Sequence, residues 1–498
     1  MELGLRFTEL TCWEKTGHVT VTHEETMETA IAEYCPDMTR IVTACGQVLI
    51  RERTVTDTGA AVSGTVRVTV LYTSEESAGL RSLTLSVPFS CTAEDRQLAA
   101  SQVLWATGRL LLMEAQAVTA RKLYIRVLPE VTLTGLGRCR RRLCCGTEQE
   151  DPTLRVKARE RRLDLLEAAA ERELSITQET QVQPPMPEEL LLYRLYPRLT
   201  SCRLVGNKLV VKGEVTLSAL YRGQDQQLHT YEAALPLSQI LDGDGLPEDG
   251  EYTGRLRLTG GEVRVLRSDN GGGFSVSAEL RLLLCAYRSV PCTCLEDLYS
   301  VRQPVRLEQE TAAIPLGRPC RSVREETAVH LDFGGRPFFF ITDTDCTPAA
   351  VTEEGGQTAL RTTVRTRLLY LDETDTPAVT ERTAEVVAPT QGEPGGVSCA
   401  LAGSPEVQFG SGGCDVRQVV EFLIEDAGPE PVLTVSSAEL LEAQEERRPS
   451  LVLRRLLPEE TLWDVAKQYR TDEALLRTVN QLEDDVHPEK MLLIPRVR

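Results

Sequence analysis

Apolar and polar residues alternate with a period of two along much of the chain, and one alternating stretch occurs three times. The copies span Gly64–Tyr72, Gly213–Tyr221 and Thr362–Tyr370, and each lies 149 residues after the one before. In each copy one parity is mostly apolar, the other is mostly polar, and a Leu-Tyr pair comes last. A period of two is typical of a strand that buries one face. The pattern predicts the same strand in three related domains.

Further short alternating runs, separated by turn-forming segments, follow each copy, as in antiparallel sandwiches and barrels. We therefore predict a mainly β protein with three related antiparallel β-sandwich or barrel-like repeats and a small C-terminal βααβ domain. The repeats are expected at residues 25–136, 179–290 and 308–427, after an N-terminal lead-in at 1–24.

Two connecting segments differ from the repeats in composition. Residues 137–178 read as a linker that begins with two basic runs, Arg138–Arg142 and Arg155–Arg162. The stretch Leu163–Leu174 is rich in helix formers and predicts a short amphipathic helix. The basic runs fit either a solvated face or a docking site. Residues 428–450 are acidic and punctuated by proline, which predicts a tether that lets the tail move.

The tail, residues 451–498, has a different pattern. Thr461 can cap a helix with Asp464 completing an approximate capping box, and a second helix is expected after Thr471 or Asp472. Apolar runs on either side predict two strands, which gives the order β-α-α-β.

The tail resembles a LysM domain in the segments Thr461–Tyr469, Leu475–Asn480 and Leu492–Pro495. The resemblance implies a shallow groove that commonly binds N-acetylglucosamine in peptidoglycan or chitin. The chain has Glu459-Glu-Thr-Leu where the family usually has Gly-Asp-Thr-Leu, which adds a carboxylate and favours protein docking. By position, the groove would be formed by Glu460, Thr461, Leu462, Asn480, Gln481, Leu482 and Ile494. Trp463 is expected either as an exposed docking anchor or as a residue packed against the tail's own sheet.

The repeats resemble the SPOCS domain of spore coat proteins, most clearly over Leu209–Tyr221. Several such repeats before one C-terminal LysM domain are similar to the SipL and SpoVID group of spore morphogenetic proteins. The resemblance implies a protein of the mother-cell cytoplasm that sits at the forespore surface or spore coat. It also implies coat proteins as partners, among them a SpoIVA-like ATPase that forms the basement layer. Self-association through the repeats stays open.

Charge and N-terminal sequence restrict the partners and the location. The net charge of −19 argues against nucleic acid and anionic lipid as the main ligand. The first residues lack the apolar core of a signal peptide, and no later run is long enough to cross a bilayer, so a cytoplasmic protein without a transmembrane segment is expected.

Cysteine and histidine positions predict no metal site and no cofactor. The 15 cysteines are expected to be reduced and mostly buried. Cys139, Cys144 and Cys145 lack a zinc-like partner set, as does the Cys292/Cys294 pair. His18 and His23 have opposite strand parity and should point to opposite faces.

Three classes of function remain. A non-enzymatic scaffold that links coat layers is favoured by the repeats and the acidic, multi-domain chain. A peptidoglycan or N-acetylglucosamine binder is the alternative, and it would act through the groove. An enzyme is disfavoured because no Gly-x-Ser-x-Gly or His-Glu-x-x-His motif is present and no catalytic residues can be named.

Overall fold

The computed structural model describes residues 1–75, 79–268, 271–315, 317–332, 338–354, 357–392, 394–410, 413–425, 428–442, 451–457, 459–482 and 491–495. Strands dominate, and all the strand pairs in this part of the chain are antiparallel. The mainly β class expected from the sequence is confirmed.

The first repeat consists of two sheets with a hydrophobic core between them. One sheet is a three-stranded meander, β3-β4-β5, and in the other β7 pairs with β6 on one side and with β1 and β2 on the other. A short 3₁₀ helix, Leu98–Ala100, lies between β5 and β6. The strands are β1 (Leu5–Thr22), β2 (Glu25–Ala30), β3 (Arg40–Thr56), β4 (Gly59–Thr73), β5 (Leu80–Glu94), β6 (Val103–Thr119) and β7 (Lys122–Thr147).

The second repeat has the same strand order. Its meander is β9-β10-β11, and its other sheet is β12-β13-β8. The strands are β8 (Leu154–Val182), β9 (Pro187–Val205), β10 (Lys208–Gly223), β11 (Leu228–Asp242), β12 (Glu251–Ser268) and β13 (Gly271–Ser300).

The third repeat follows the same plan with more interrupted strands. One sheet pairs β18 with β16, β17 and β19, and the other pairs β22 with β15, β20 and β21. A separate ribbon joins β14 to β23. The strands are β14 (Val305–Ile314), β15 (Arg321–Asp332), β16 (Phe339–Cys346), β17 (Ala350–Glu354), β18 (Gln357–Leu371), β19 (Pro377–Pro389), β20 (Gly396–Leu401), β21 (Glu406–Gly410), β22 (Gly413–Glu425) and β23 (Glu430–Leu440).

The repeated stretch lies in the central meander strand of every repeat, β4, β10 and β18, as the sequence predicts. Even a side-chain contact is repeated, because the Tyr72 hydroxyl donates to the Pro36 carbonyl and the Tyr221 hydroxyl donates to the Pro185 carbonyl, both at 3.3 Å. The first two copies therefore share this contact, and all three copies lie in the equivalent strand of their sheet.

The Leu-Tyr pair serves two cores at once. The tyrosines pack into the core of their own repeat. The leucines before them, Leu71, Leu220 and Leu369, meet in a single cluster with Cys45, Leu80, Leu191, Leu192 and Phe340. This cluster draws on all three repeats, so their meander sheets meet at one hydrophobic junction.

The prediction of a linker with a short helix at residues 137–178 is wrong. Residues 137–147 end β7, and Leu163–Leu174 lies within β8, which pairs with β13 along its whole length. The helix formers there are held extended because Leu163, Leu165 and Leu174 are buried against neighbouring sheets, and such tertiary packing overrides weak local propensity.

Two other boundaries also need correction. The lead-in at 1–24 belongs to the first repeat, because β1 pairs with β7. The tether at 428–450 contains β23, which pairs with β14 from Val305 to Ile314, so the third unit extends on both sides of 308–427. Residues 443–450 of the predicted tether lie outside the described part of the chain.

The outer halves of the long strands form a second junction between repeats. The β1/β7, β8/β13 and β14/β23 ribbons share one cluster that includes Cys12, Leu163 and Val432, and another that includes Cys144, Leu298 and Val435. The repeats are thus joined at two levels, through their meanders and through these ribbons.

The tail is a compact unit of two short helices and a two-stranded sheet. Its elements are β24 (Leu451–Arg455), α1 (Leu462–Tyr469), α2 (Glu473–Asn480) and β25 (Met491–Pro495), and β24 pairs with β25.

Candidate functional site

Side-chain caps fix the beginnings of both tail helices. Thr461 and Asp464 form a capping box at the start of α1, with the Thr461 hydroxyl accepting from the Asp464 amide at 3.3 Å. Asp472 caps α2 by accepting from the Ala474 amide at 2.8 Å. These bonds satisfy amides that a helix leaves free at its start, which lets helices of eight residues form.

Most of the predicted groove residues take part in the tail's own fold. Leu462 and Ile494 are buried in its core, and Leu482 packs partly against that core. Thr461 is the cap of α1, and Glu460 pairs with Arg454 at 2.8 Å.

The two other groove residues mark the end of α2. The Asn480 side chain accepts from the Leu493 amide at 2.6 Å and donates to the Leu493 carbonyl at 2.8 Å, which ties α2 to β25. Gln481 ends the helix in the left-handed conformation, with φ of 47°. Of the predicted set, Thr461 and Gln481 are exposed.

Trp463 contacts the second repeat. Its indole donates to the Asp297 carboxylate at 2.7 Å, and its ring meets Tyr299 edge-on with centroids 4.9 Å apart. Lys467, one turn later on α1, pairs with the same carboxylate at 2.6 Å. Trp463 is partly buried against the tail's own core, as one of the two expectations had it, and it also anchors the tail to β13.

A second set of contacts joins α2 to the same ribbon. Arg155 of β8 pairs with Asp472 at 2.6 Å, and the Tyr299 hydroxyl donates to the Thr471 carbonyl at 2.8 Å. Burial raises the pKa of Asp472, but the Arg155 guanidinium and the Ala474 amide outweigh it and hold that pKa below its usual value. The tail is thus docked on the second repeat, and the swinging tail expected from the tether is wrong.

The outer face of the tail sheet is apolar and exposed. Leu451 is 52% exposed, Leu453 is 64% exposed and Met491 is 55% exposed. Leu453 and Leu493 are cross-strand partners, so these residues share one face, while Val452, Leu492 and Ile494 point to the core. Sequence reasoning missed this face, although apolar residues at both parities of Leu451-Val-Leu453 were a usable signal.

The basic runs lie on the ribbons, and several of their arginines have acidic neighbours. Arg141 pairs with Glu14 at 2.8 Å, and Arg161 lies between Glu296 at 3.2 Å and Glu430 at 3.4 Å. They are therefore strand surfaces, not a helix face.

The cysteines and histidines are dispersed. All 15 cysteines are free thiols, and within the described ranges no group of three or more metal-ligating side chains comes together. His18 contacts Thr134, and His23 contacts Glu25. No helix in the same part of the chain is both long and apolar enough for a transmembrane span.

Comparison with known families gives a match in the second repeat. It is to the model described as SipL, SPOCS domain. The match covers residues 188–265, which begin in β9 and end in β12 of the second repeat. It supports a relationship to SipL-type proteins and a sporulation-related role. No curated protein and no solved structure matches the chain.

Proposed function

We propose that this protein is a non-enzymatic scaffold of spore coat assembly. It would link coat layers to the forespore surface in the mother-cell cytoplasm through contacts with coat proteins such as a SpoIVA-like ATPase. The observation that carries the proposal is the SPOCS match on the second repeat, in a chain with two further units of the same strand order. Three joined units and a docked tail offer several surfaces at fixed spacing, which suits multivalent attachment.

The exposed face of β24 and β25 is the surface we assign to protein docking. A cluster of exposed leucine and methionine side chains is costly in water and is typical of protein interaction sites. The partner surface should therefore be apolar.

Glycan binding by a LysM-type tail is the competing function. The β-α-α-β order and the resemblance in sequence favour it. Against it, the predicted groove residues Thr461, Leu462, Asn480 and Ile494 are engaged in caps, core packing or strand contacts. A groove that uses them would have little free hydrogen-bonding capacity left for a sugar.

The test compares two full-length variants of matched exposure. Leu453 and Val205 are each 64% exposed, one on the tail face and the other on the second repeat. Leu453→Glu should weaken binding to the purified SpoIVA-like ATPase by roughly tenfold or more, as expected for an interface anchor, while Val205→Glu should not. Binding is measured by biolayer interferometry.

Binding of muropeptides to the same proteins distinguishes the two functions. If the wild-type protein binds muropeptides but not the ATPase, the scaffold proposal is wrong and the glycan function is supported. If both variants bind the ATPase like the wild type, the scaffold stands but the assigned docking face is wrong.

A further inference from the structure

Several cysteine sulfurs lie close together in pairs within the part of the chain that the structure describes. The Sγ atoms are 3.2 Å apart in Cys12/Cys139, 3.9 Å apart in Cys292/Cys294 and 3.8 Å apart in Cys346/Cys399. All six residues are free thiols. A disulfide bond is about 2.05 Å long, so a modest approach of two side chains would be enough to join such a pair.

The Cys346/Cys399 pair lies between the two sheets of the third repeat. Cys346 is the last residue of β16, which pairs with β18, and Cys399 lies in β20, which pairs with β22. Both side chains pack in the cluster that Val364 and Phe422 share between these sheets. A bond between the two sulfurs would therefore link the sheets covalently, at positions 53 residues apart in sequence.

The other two pairs would join parts of the chain that are already held together. Cys12 and Cys139 are cross-strand partners in the β1/β7 ladder. Cys292 and Cys294 are two residues apart on β13. The Cys346/Cys399 pair differs because its two strands belong to separate sheets, which face each other through side chains.

The two thiols of this pair differ in access and in acidity. Cys399 is partly exposed, whereas Cys346 is 8% exposed. The contact with Cys346 lowers the pKa of Cys399, and the same contact together with burial raises the pKa of Cys346. Because the thiolate is the reactive form of cysteine, Cys399 is the nucleophile of the pair and Cys346 is the thiol that can resolve its oxidised form.

The Cys12/Cys139 pair is a natural comparison inside the same molecule. Its sulfurs are closer, but Cys12 is 0% exposed and Cys139 is 9% exposed. Burial raises the pKa of Cys12, and it raises the pKa of Cys139 to about 12. A buried, protonated thiol reacts slowly with an oxidant in solution, so this pair should stay reduced where Cys346/Cys399 reacts.

We propose that Cys346 and Cys399 form an oxidation site at which hydrogen peroxide converts the two thiols into a disulfide. The Cys399 thiolate attacks one peroxide oxygen, so that an S–O bond forms, the O–O bond breaks and the departing hydroxide takes up a proton. The Cys346 sulfur then attacks the sulfur of the resulting sulfenic acid. The S–S bond forms, the S–O bond breaks, and hydroxide leaves as water with the Cys346 proton. Two thiols thus lose two electrons, and one hydrogen peroxide becomes two water molecules.

The disulfide should stabilise the third repeat. β20 is six residues long and pairs with β22 alone among the described strands, so a small shift of this edge strand can bring the sulfurs together. A cross-link between residues 53 apart restricts the unfolded chain. The melting temperature of the full-length protein should therefore rise by about 3 °C or more on oxidation and return with dithiothreitol.

The test treats the reduced full-length protein with hydrogen peroxide at pH 7.5. Remaining thiols are blocked with N-ethylmaleimide, and the protein is digested without reductant. Mass spectrometry should find a peptide that joins Cys346 to Cys399, lighter by two hydrogen atoms than its reduced parts and cleaved by dithiothreitol. A peptide joining Cys12 to Cys139 should form at least about tenfold more slowly.

Three variants check the roles of the two thiols. Cys346→Ala should stop the reaction at the sulfenic acid of Cys399, which dimedone traps, and Cys399→Ala should leave Cys346 unmodified. Cys35→Ala replaces another partly exposed thiol and should leave the yield of the disulfide unchanged.

The wild-type measurement decides the proposal even where a variant does not fold. The proposal is overturned if no Cys346–Cys399 peptide forms, or if this peptide forms no faster than the one joining Cys12 to Cys139. A melting temperature that does not change when the Cys346–Cys399 peptide forms would overturn the proposed link between oxidation and stability.

Discussion

The Arg194 guanidinium lies 3.2 Å from the Asp343 carboxylate, and these two residues occupy the same position in consecutive repeats. The corresponding residue of the first repeat, Cys45, is buried in the cluster shared by the three meanders. Positions that are 149 residues apart thus lie face to face, and their side chains carry opposite charges.

Arg194→Met should destabilise the protein by about 3 kcal/mol, at the lower end of the range for breaking a buried ion pair, because Asp343 keeps some contact with solvent. Chemical denaturation measures the change. Arg198→Met, an exposed arginine on the same strand paired with Glu214, should change the free energy of unfolding by less than about 1 kcal/mol. Equal effects of the two variants would contradict a structural role for the Arg194–Asp343 pair.

Leu220→Ala should destabilise the protein by about 2–5 kcal/mol, because it opens a cavity in the cluster where the repeats meet. Val205→Ala, at an exposed position of the same repeat, should stay within about 0.5 kcal/mol of the wild type. The two variants are compared by thermal unfolding, which is monitored by circular dichroism. A small effect at Leu220 would mean that the repeats do not depend on this junction.

Asp297→Ala should release the tail, because Trp463 and Lys467 both donate to that carboxylate. Hydrogen exchange of the amides in α1 should become roughly tenfold faster or more, in line with the loss of bonds to a buried charge. Asp244→Ala, at an exposed loop position, is the control. Unchanged exchange in α1 would show that other contacts suffice to hold the tail.

Tail docking should also depend on acid pH. Because the pKa of Asp472 is lowered in the folded protein, its ionised form stabilises the fold at pH values above the unfolded pKa, about 4. That contribution is lost as the pH falls through the lower, folded pKa. The Trp463 fluorescence is obtained as the difference between the spectra of the wild type and Trp463→Phe. This difference should stay constant from pH 7 to about 5 and change below about 4. A change already near neutral pH would exclude Asp472 as the cause.

Cys399 should be the more reactive member of a thiol pair. Its Sγ lies 3.8 Å from that of Cys346, and this contact lowers the pKa of Cys399. Iodoacetamide at pH 7.5 should label Cys399 more than about tenfold faster than Cys202, because burial raises the pKa of Cys202 to about 11. Peptide mass spectrometry follows both sites. Cys346→Ala should slow the labelling of Cys399, and no slowing would exclude the thiol contact as the cause.

Much of the β architecture could be read from the sequence because it follows from local alternation. Val66, Val68 and Val70 face one side of β4, and the same pattern recurs in the other two repeats. The adjacent apolar residues of the Leu-Tyr pair already indicated a strand that is buried on both faces. The sequence alone does not tell which hydrophobic core each of the two side chains joins.

The parts that could not be predicted depend on distant residues. Leu163–Leu174 favours a helix by composition, and only its partner β13 makes it a strand. Trp463 was a sound candidate for an anchor, but its partners Asp297 and Tyr299 are more than 160 residues away.

Cys45, Arg194 and Asp343, which occupy the same position in the three repeats, also limit how the repeats can be combined. Three copies of any single repeat assembled as a homotrimer would bring three thiols, three guanidinium groups or three carboxylates together at the centre. The last two arrangements repel, and the first supplies no ion pair. Exchanging the order or identity of the three units should therefore yield a protein in which the Arg194–Asp343 pair cannot form.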